Sequence, residues 1–128
     1  MKTRESAVDG TPGSRETTRR HTYRVYVIQL DERVLGSSNF RDSNPLYRSG
    51  KPCVYVGYTS RSPGVRLQQH QEGGRLSSSW VKKYGQGESL LRSAYDHLPT
   101  FESATVAEAA EVRHAEALRA RGWGVWQN

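Results

Sequence analysis

A chain of 128 residues carrying a formal net charge of +6 suits one compact domain and leaves little room for a second. Its single cysteine, Cys53, excludes an intrachain disulfide framework and a cysteine-built structural zinc site, and no apolar run is long enough to cross a bilayer. The positive surplus favours an anionic partner, because cationic side chains concentrate phosphate nearby, although a basic surface also serves solubility alone.

Residues 1–21 are rich in Thr, Ser, Gly, Arg and Glu and have no hydrophobic period. They read as a flexible, weakly basic arm preceding a domain at 22–128, since such a segment cannot bury enough surface to offset its ordering entropy. They also lack the apolar stretch of a secretory signal, so a cytoplasmic, reducing setting is the expectation. With hydrophobic residues at 34% of the chain, the core must come from a few segments.

Tyr23 to Leu30 is β-branched and aromatic and predicts a first strand. Asp31 to Pro52, punctuated by Gly36, Pro45, Gly50 and Pro52, reads as a long connection. Cys53 to Thr59 predicts a second strand. A helix then starts behind Ser62 as N-cap and Pro63 as first helical residue, with Gly73-Gly74 as its stop. Ser78 to Tyr84 fits a short helix ended by Gly85, and Ser89 to Tyr95 a weaker third strand. Thr105-Val106-Ala107-Glu108 has the form of a capping box, opening an Ala-rich helix to Arg121 that Gly122 ends. Trp123 to Trp126 predicts a short closing strand. The order β-β-α-α-β-α-β predicts an α/β (α+β) domain: a small mixed or antiparallel sheet flanked by helices.

Several residues on this frame carry chemistry. Tyr26 and Tyr55 sit in the two clearest strands and come close if those strands pair, which packing alone would also explain. Gly57 interrupts the second strand, as at a bulge or where backbone approaches a ligand. Arg66 and His70 are four apart, hence on one helix face. A guanidinium there stabilises phosphate charge and an imidazole moves a proton near neutral pH, while the same spacing suits a solvated face. On the last helix Glu111 shares a face with Ala107, Ala115 and Leu118. A carboxylate on an apolar face is costly unless paired or bound to metal, which sets it apart from Glu108 and Glu116. One carboxylate suffices for Mg²⁺ when water and substrate phosphate complete the shell. Arg75, Lys82 and Lys83 place positive charge nearby. Trp80 either stacks on an exposed base or belongs to the core.

The ordered set resembles the GIY-YIG nuclease superfamily from Tyr23 to the carboxyl terminus. Arg24-Val25-Tyr26 stands at the first motif with only its tyrosine kept, and Tyr55-Val56-Gly57 matches the second closely, with Tyr58-Thr59 beside it. The arginine and the histidine four residues on match Arg66 and His70. Glu111 best matches the metal-binding glutamate, and Asn128 the late asparagine. The resemblance implies hydrolysis of a nucleic-acid phosphodiester bond, with DNA expected ahead of RNA. Glu111 would hold Mg²⁺ or Mn²⁺, Arg66 would neutralise phosphate charge, Tyr55 would orient water or phosphate, and either Tyr26 or His70 would serve as base. Gly57, Tyr58, Thr59, Arg75, Trp80, Lys82, Lys83 and Asn128 are the expected substrate contacts. The altered first motif keeps a second reading in play, a nucleic-acid-binding module without catalysis, and a small protein-interaction factor is the third.

Overall fold

The structure, a computed structural model, describes residues 22–72 and 78–127. The expected arm at 1–21 and the Gly73-Gly74 helix stop lie outside these residues. Four strands, β1 (Arg24–Leu30), β2 (Cys53–Thr59), β3 (Gly85–Leu90) and β4 (Gly124–Gln127), form one sheet in the order β3-β1-β2-β4. β1 pairs antiparallel with β2 and β3, whereas β4 runs parallel to β2, so the sheet is mixed. Four helices accompany it: α1 (Ser38–Asp42), α2 (Pro63–Glu72), α3 (Ser79–Tyr84) and α4 (Ala104–Ala120). None of the described helices is long and apolar enough to cross a membrane.

The β1–β2 ladder is unbroken from Arg24↔Thr59 to Leu30↔Cys53, so Gly57 marks no bulge. Pleating places Tyr26, Ile28, Tyr55 and Gly57 on one face and Val25, Val27, Val54 and Val56 on the other. Both sets are buried, so both faces of the sheet are covered. Each fully buried aliphatic or aromatic side chain contributes roughly 1.5–3 kcal/mol, which is how few apolar residues hold the domain. α4 packs along β4 and β2, and α2 and α3 lie against β1 and β3. The buried stripe of α4 is Ala107, Ala110, Glu111, Ala115 and Leu118, a mostly apolar face with one carboxylate.

Four expectations need correction. The connection 31–52 is structured, with a 3-10 turn at Glu32–Gly36 followed by α1, because Val34 and Phe40 enter the core. Asn44 then locks this segment to the edge strand. Its side-chain N–H groups donate to the carbonyls of Phe40 (2.8 Å) and Val125 (3.0 Å), and its carbonyl accepts from Val125 N–H (2.8 Å) and Arg119 Nε (3.2 Å). The third strand lies at Gly85–Leu90, directly after α3, and the expected Ser89–Tyr95 segment turns into a 3-10 turn at Arg92–Ala94. The capping box is not where α4 starts: Ser103 is the N-cap, accepting from Val106 N–H at 3.1 Å, which leaves Glu108 an exposed helix-face residue. Its far end follows the expected rule, Gly122 taking the left-handed conformation (φ 89°) that ends the helix after Arg121. The closing strand is Gly124–Gln127 rather than Trp123–Trp126.

Candidate active site

The face of the sheet bearing Tyr26 and Tyr55 collects most of the candidate residues. The two tyrosines are diagonal neighbours across the β1–β2 ladder, with ring centroids 6.4 Å apart. His70, from the buried side of α2, stands over both, 5.3 Å from the Tyr55 ring in an edge-on arrangement and 6.1 Å from the Tyr26 ring. The glycine of β2 explains how the cluster closes. A Cβ at Gly57 would lie 2.6 Å from the Tyr26 hydroxyl and 2.8 Å from its Cζ, so only glycine lets that ring lie across the strand. The backbone of Gly57 is therefore approached by Tyr26 itself.

The hydrogen bonds of His70 fix its protonation. Ser78 N–H donates to Nδ1 at 2.7 Å, and a backbone amide can only donate, so Nδ1 carries no proton. The neutral ring then holds its proton on Nε2, which donates to the Tyr26 hydroxyl oxygen at 2.8 Å. Burial, with Arg66 adding in the same direction, pushes the His70 pKa down to about 4, so the neutral form persists at neutral pH. Neither ring nitrogen is left to take a proton from water.

Burial also governs the tyrosines. It pushes the Tyr26 hydroxyl well above the usual phenol range, and the neighbouring Tyr55 raises it further. The Arg66 guanidinium opposes both by charge and hydrogen bonding. Tyr55 is pushed up to about 12, by burial first and by the Glu111 carboxylate second, with Arg66 again opposing. The Tyr55 hydroxyl is fully buried and forms no hydrogen bond among the described residues, although Tyr26 and Ser78 lie nearby. Glu111 is 1% exposed. Its charge reaches Tyr55, Tyr58 and Tyr26. Arg66 is partly buried and donates to Gln69 Oε1 at 3.2 Å. Tyr26, Tyr55, Arg66, His70 and Glu111 thus belong to one cluster.

The remaining candidates are placed differently. Thr59, the last residue of β2, is buried, and its hydroxyl accepts from Arg61 N–H at 2.9 Å. Tyr58 points to the opposite sheet face from Tyr55 and packs near Tyr23, centroids 6.3 Å apart. Trp80 is half-buried in an aromatic group, its ring 4.5 Å from Trp126, 5.8 Å from Tyr84 and 6.0 Å from Phe40. Lys82 and Lys83 are exposed on α3. Arg75 and Asn128 lie outside the described residues. Sequence reasoning missed Ser78 as a partner of His70, because the contact uses a backbone amide that every residue but proline carries. Its place before α3, as the N-cap accepting from Trp80 N–H at 3.2 Å, was the one readable signal.

The donor set decides what ion the cluster suits. With both nitrogens of His70 engaged and Cys53 elsewhere in the core, the groups on offer are the Glu111 carboxylate and phenol oxygens. An all-oxygen set fits a hard cation such as Mg²⁺ or Mn²⁺, which takes one or two carboxylates and completes its shell from water and phosphate. Among the described residues no group of three or more His, Cys, Asp or Glu gathers as a metal cage. Comparison with known proteins returned no matching family model, no similar curated protein and no similar solved structure.

Proposed function

We infer that this chain is a GIY-YIG-type endonuclease that depends on a divalent metal and hydrolyses a phosphodiester bond in nucleic acid, DNA in preference to RNA. The observation that carries the reading is the Ser78–His70–Tyr26 relay, set beside Arg66 and a buried carboxylate. The relay turns His70 into a donor to the Tyr26 oxygen, so of the two candidate bases Tyr26 is the one with an oxygen poised for proton transfer. Tyr26 first releases its own proton to solvent water that enters with the substrate, and its burial opposes that step. Two donors, His70 Nε2–H and Arg66, favour the phenolate, as would positive charge at Glu111. The phenolate then takes a proton from the attacking water as the water oxygen bonds to phosphorus and the P–O bond to the leaving oxygen breaks, the leaving oxygen taking its proton from solvent. Arg66 neutralises charge growing on the nonbridging oxygens, and Tyr55 donates its hydroxyl hydrogen to water or phosphate. Glu111 would hold the divalent ion, which when bound would supply Lewis-acid charge at the scissile phosphate.

The binding-module reading keeps one observation in its favour, the strong upward shift of Tyr26, which makes it a poor base without added positive charge. Incubation with supercoiled plasmid, single-stranded DNA, branched DNA and RNA in Mg²⁺ or Mn²⁺ separates the two. Cleavage that stops with EDTA is the expected result. Salt-sensitive binding with no cleavage of any substrate would replace the enzyme by the binding module.

A further inference from the structure

Away from the tyrosine cluster lies a groove of about 680 Å³ lined by Arg33, Gly36, Ser37, Trp80, Lys83 and Tyr84. That volume falls in the range of small-molecule sites. Its walls include two aromatic rings and two cations, and none of the described lining residues is a carboxylate. Trp80 is held as a platform by the stack on Trp126 (4.5 Å, 32° between planes) and by Phe40 behind it. The Lys83 ammonium stands 5.3 Å from the Tyr84 ring centroid. Arg33 is ion-paired to Asp31 at 3.2 Å, but its side chain is 75% exposed and a guanidinium has five donors, so the pair leaves most of its hydrogen-bonding capacity for an anion.

The groove also adjoins the cluster. Trp126, on which Trp80 rests, is the register partner of Tyr55. α3, which supplies Trp80, Lys83 and Tyr84, begins just after Ser78, whose amide holds His70. A flat π-system flanked by phosphates is the ligand that uses both the rings and the charges. A continuous duplex cannot present it, because its bases are already stacked on one another, whereas an unpaired nucleotide can.

Resting on the nuclease reading above, we propose that this groove takes an unpaired nucleotide next to the scissile phosphate. Trp80 and Tyr84 contact the base, and Arg33 and Lys83 contact its phosphates. The preferred substrate is then nucleic acid with a single-stranded segment beside the cut, such as a flap, overhang or bulge.

The test uses anisotropy binding and cleavage with three labelled DNAs: a single strand, a blunt two-stranded duplex and the same duplex bearing a 3′ overhang. The wild type is compared with Arg33→Ala and Lys83→Ala, both at exposed positions, and with Trp80→Leu and Tyr84→Leu, whose folding is checked by circular dichroism. The expected result is tighter binding of the single strand and overhang than of the duplex, with the aromatic variants losing roughly tenfold on the first two only. Each charge variant lowers the salt slope by about one. Equal binding of duplex and overhang by the wild type, or an undiminished single-strand preference in folded Tyr84→Leu and Lys83→Ala, overturns the groove proposal while metal-dependent cleavage still upholds the nuclease reading. No binding of any of the three DNAs removes both.

Discussion

Two clusters of polar side chains are sunk into this small domain, and they differ in how completely they are satisfied. At the β4 edge, Asn44 makes four hydrogen bonds, and Arg119 adds donations to Gln127 Oε1 (2.9 Å) and Val125 O (3.0 Å) besides its bond to Asn44. Every polar group there answers to another, as expected of a structural network. On the tyrosine face, Tyr55 buries a hydroxyl for which no well-formed hydrogen bond is found among the described residues, Glu111 buries a carboxylate, and His70 and both tyrosines are shifted from their ordinary titration ranges. Such an arrangement costs stability, and buried groups with shifted titration are the pattern that marks a candidate site. The difference separates a fastener from a candidate site.

The contrast can be broken most decisively at Arg66. Arg66→Ala should lower the single-turnover cleavage rate by roughly 10²–10³, the usual loss for one charge-stabilising donor, while nucleic-acid affinity changes much less. A rate within threefold of wild type would show that the tyrosine face is not where phosphate reacts.

The next effect is on stability against pH. His70 is neutral when folded, with its pKa pushed down to about 4, and titrates near 6.5 when unfolded. The unfolded state binds the proton first, so the stability due to neutral His70 is fully present above pH ~6.5 and is lost as pH falls toward ~4, by up to roughly 3 kcal/mol. Urea midpoints measured across that window should fall steeply for the wild type and more gently for His70→Gln. Parallel curves would place His70 in an ordinary solvated environment.

Asn44→Ala should cost about 2 kcal/mol, since it strands the N–H of Val125 at the sheet edge and removes a second donor from its carbonyl, yet leave cleavage per folded molecule unchanged. Thermal denaturation alongside a rate assay checks both halves. Lost activity at full occupancy of the folded state would mean that the two clusters are coupled. Gly57→Ala is the finest probe. The added methyl forces the Tyr26 ring aside, at about 1–2 kcal/mol of stability, and should abolish the Tyr26–His70 contact. The His70 imidazole resonances, read by NMR, should shift, and an unchanged spectrum would show that the ring has room the packing denies it.

Much of the scaffold was readable because local chemistry decided it. β2 and the start of α2 follow directly from β-branched residues and from Ser62-Pro63, and the acidic residue chosen on α4 is the buried one because the Ala and Leu around it set the face. Errors arose where tertiary packing decided instead. Nothing local announces that Phe40 and Val34 would order the 31–52 connection, or that Ser103 would outcompete Thr105 as a cap. At the candidate site, strand pattern and helix spacing indicated that Tyr26, Tyr55, Arg66, His70 and Glu111 could lie near one another, but not how they are related. That His70 Nε2 donates rather than accepts its hydrogen bond depends on a backbone amide eight residues away. That Gly57 makes room for Tyr26 depends on cross-strand register.

The central claim is tested most directly by Glu111→Gln, which keeps the shape of the buried side chain and removes its charge. Binding of a noncleavable oligonucleotide and single-turnover cleavage in Mn²⁺ would be measured on the same preparation, with thermal stability as a control. The account predicts a folded protein with a thermal midpoint no lower than wild type, retained binding, and cleavage below detection. Cleavage at the wild-type rate by folded Glu111→Gln would contradict it.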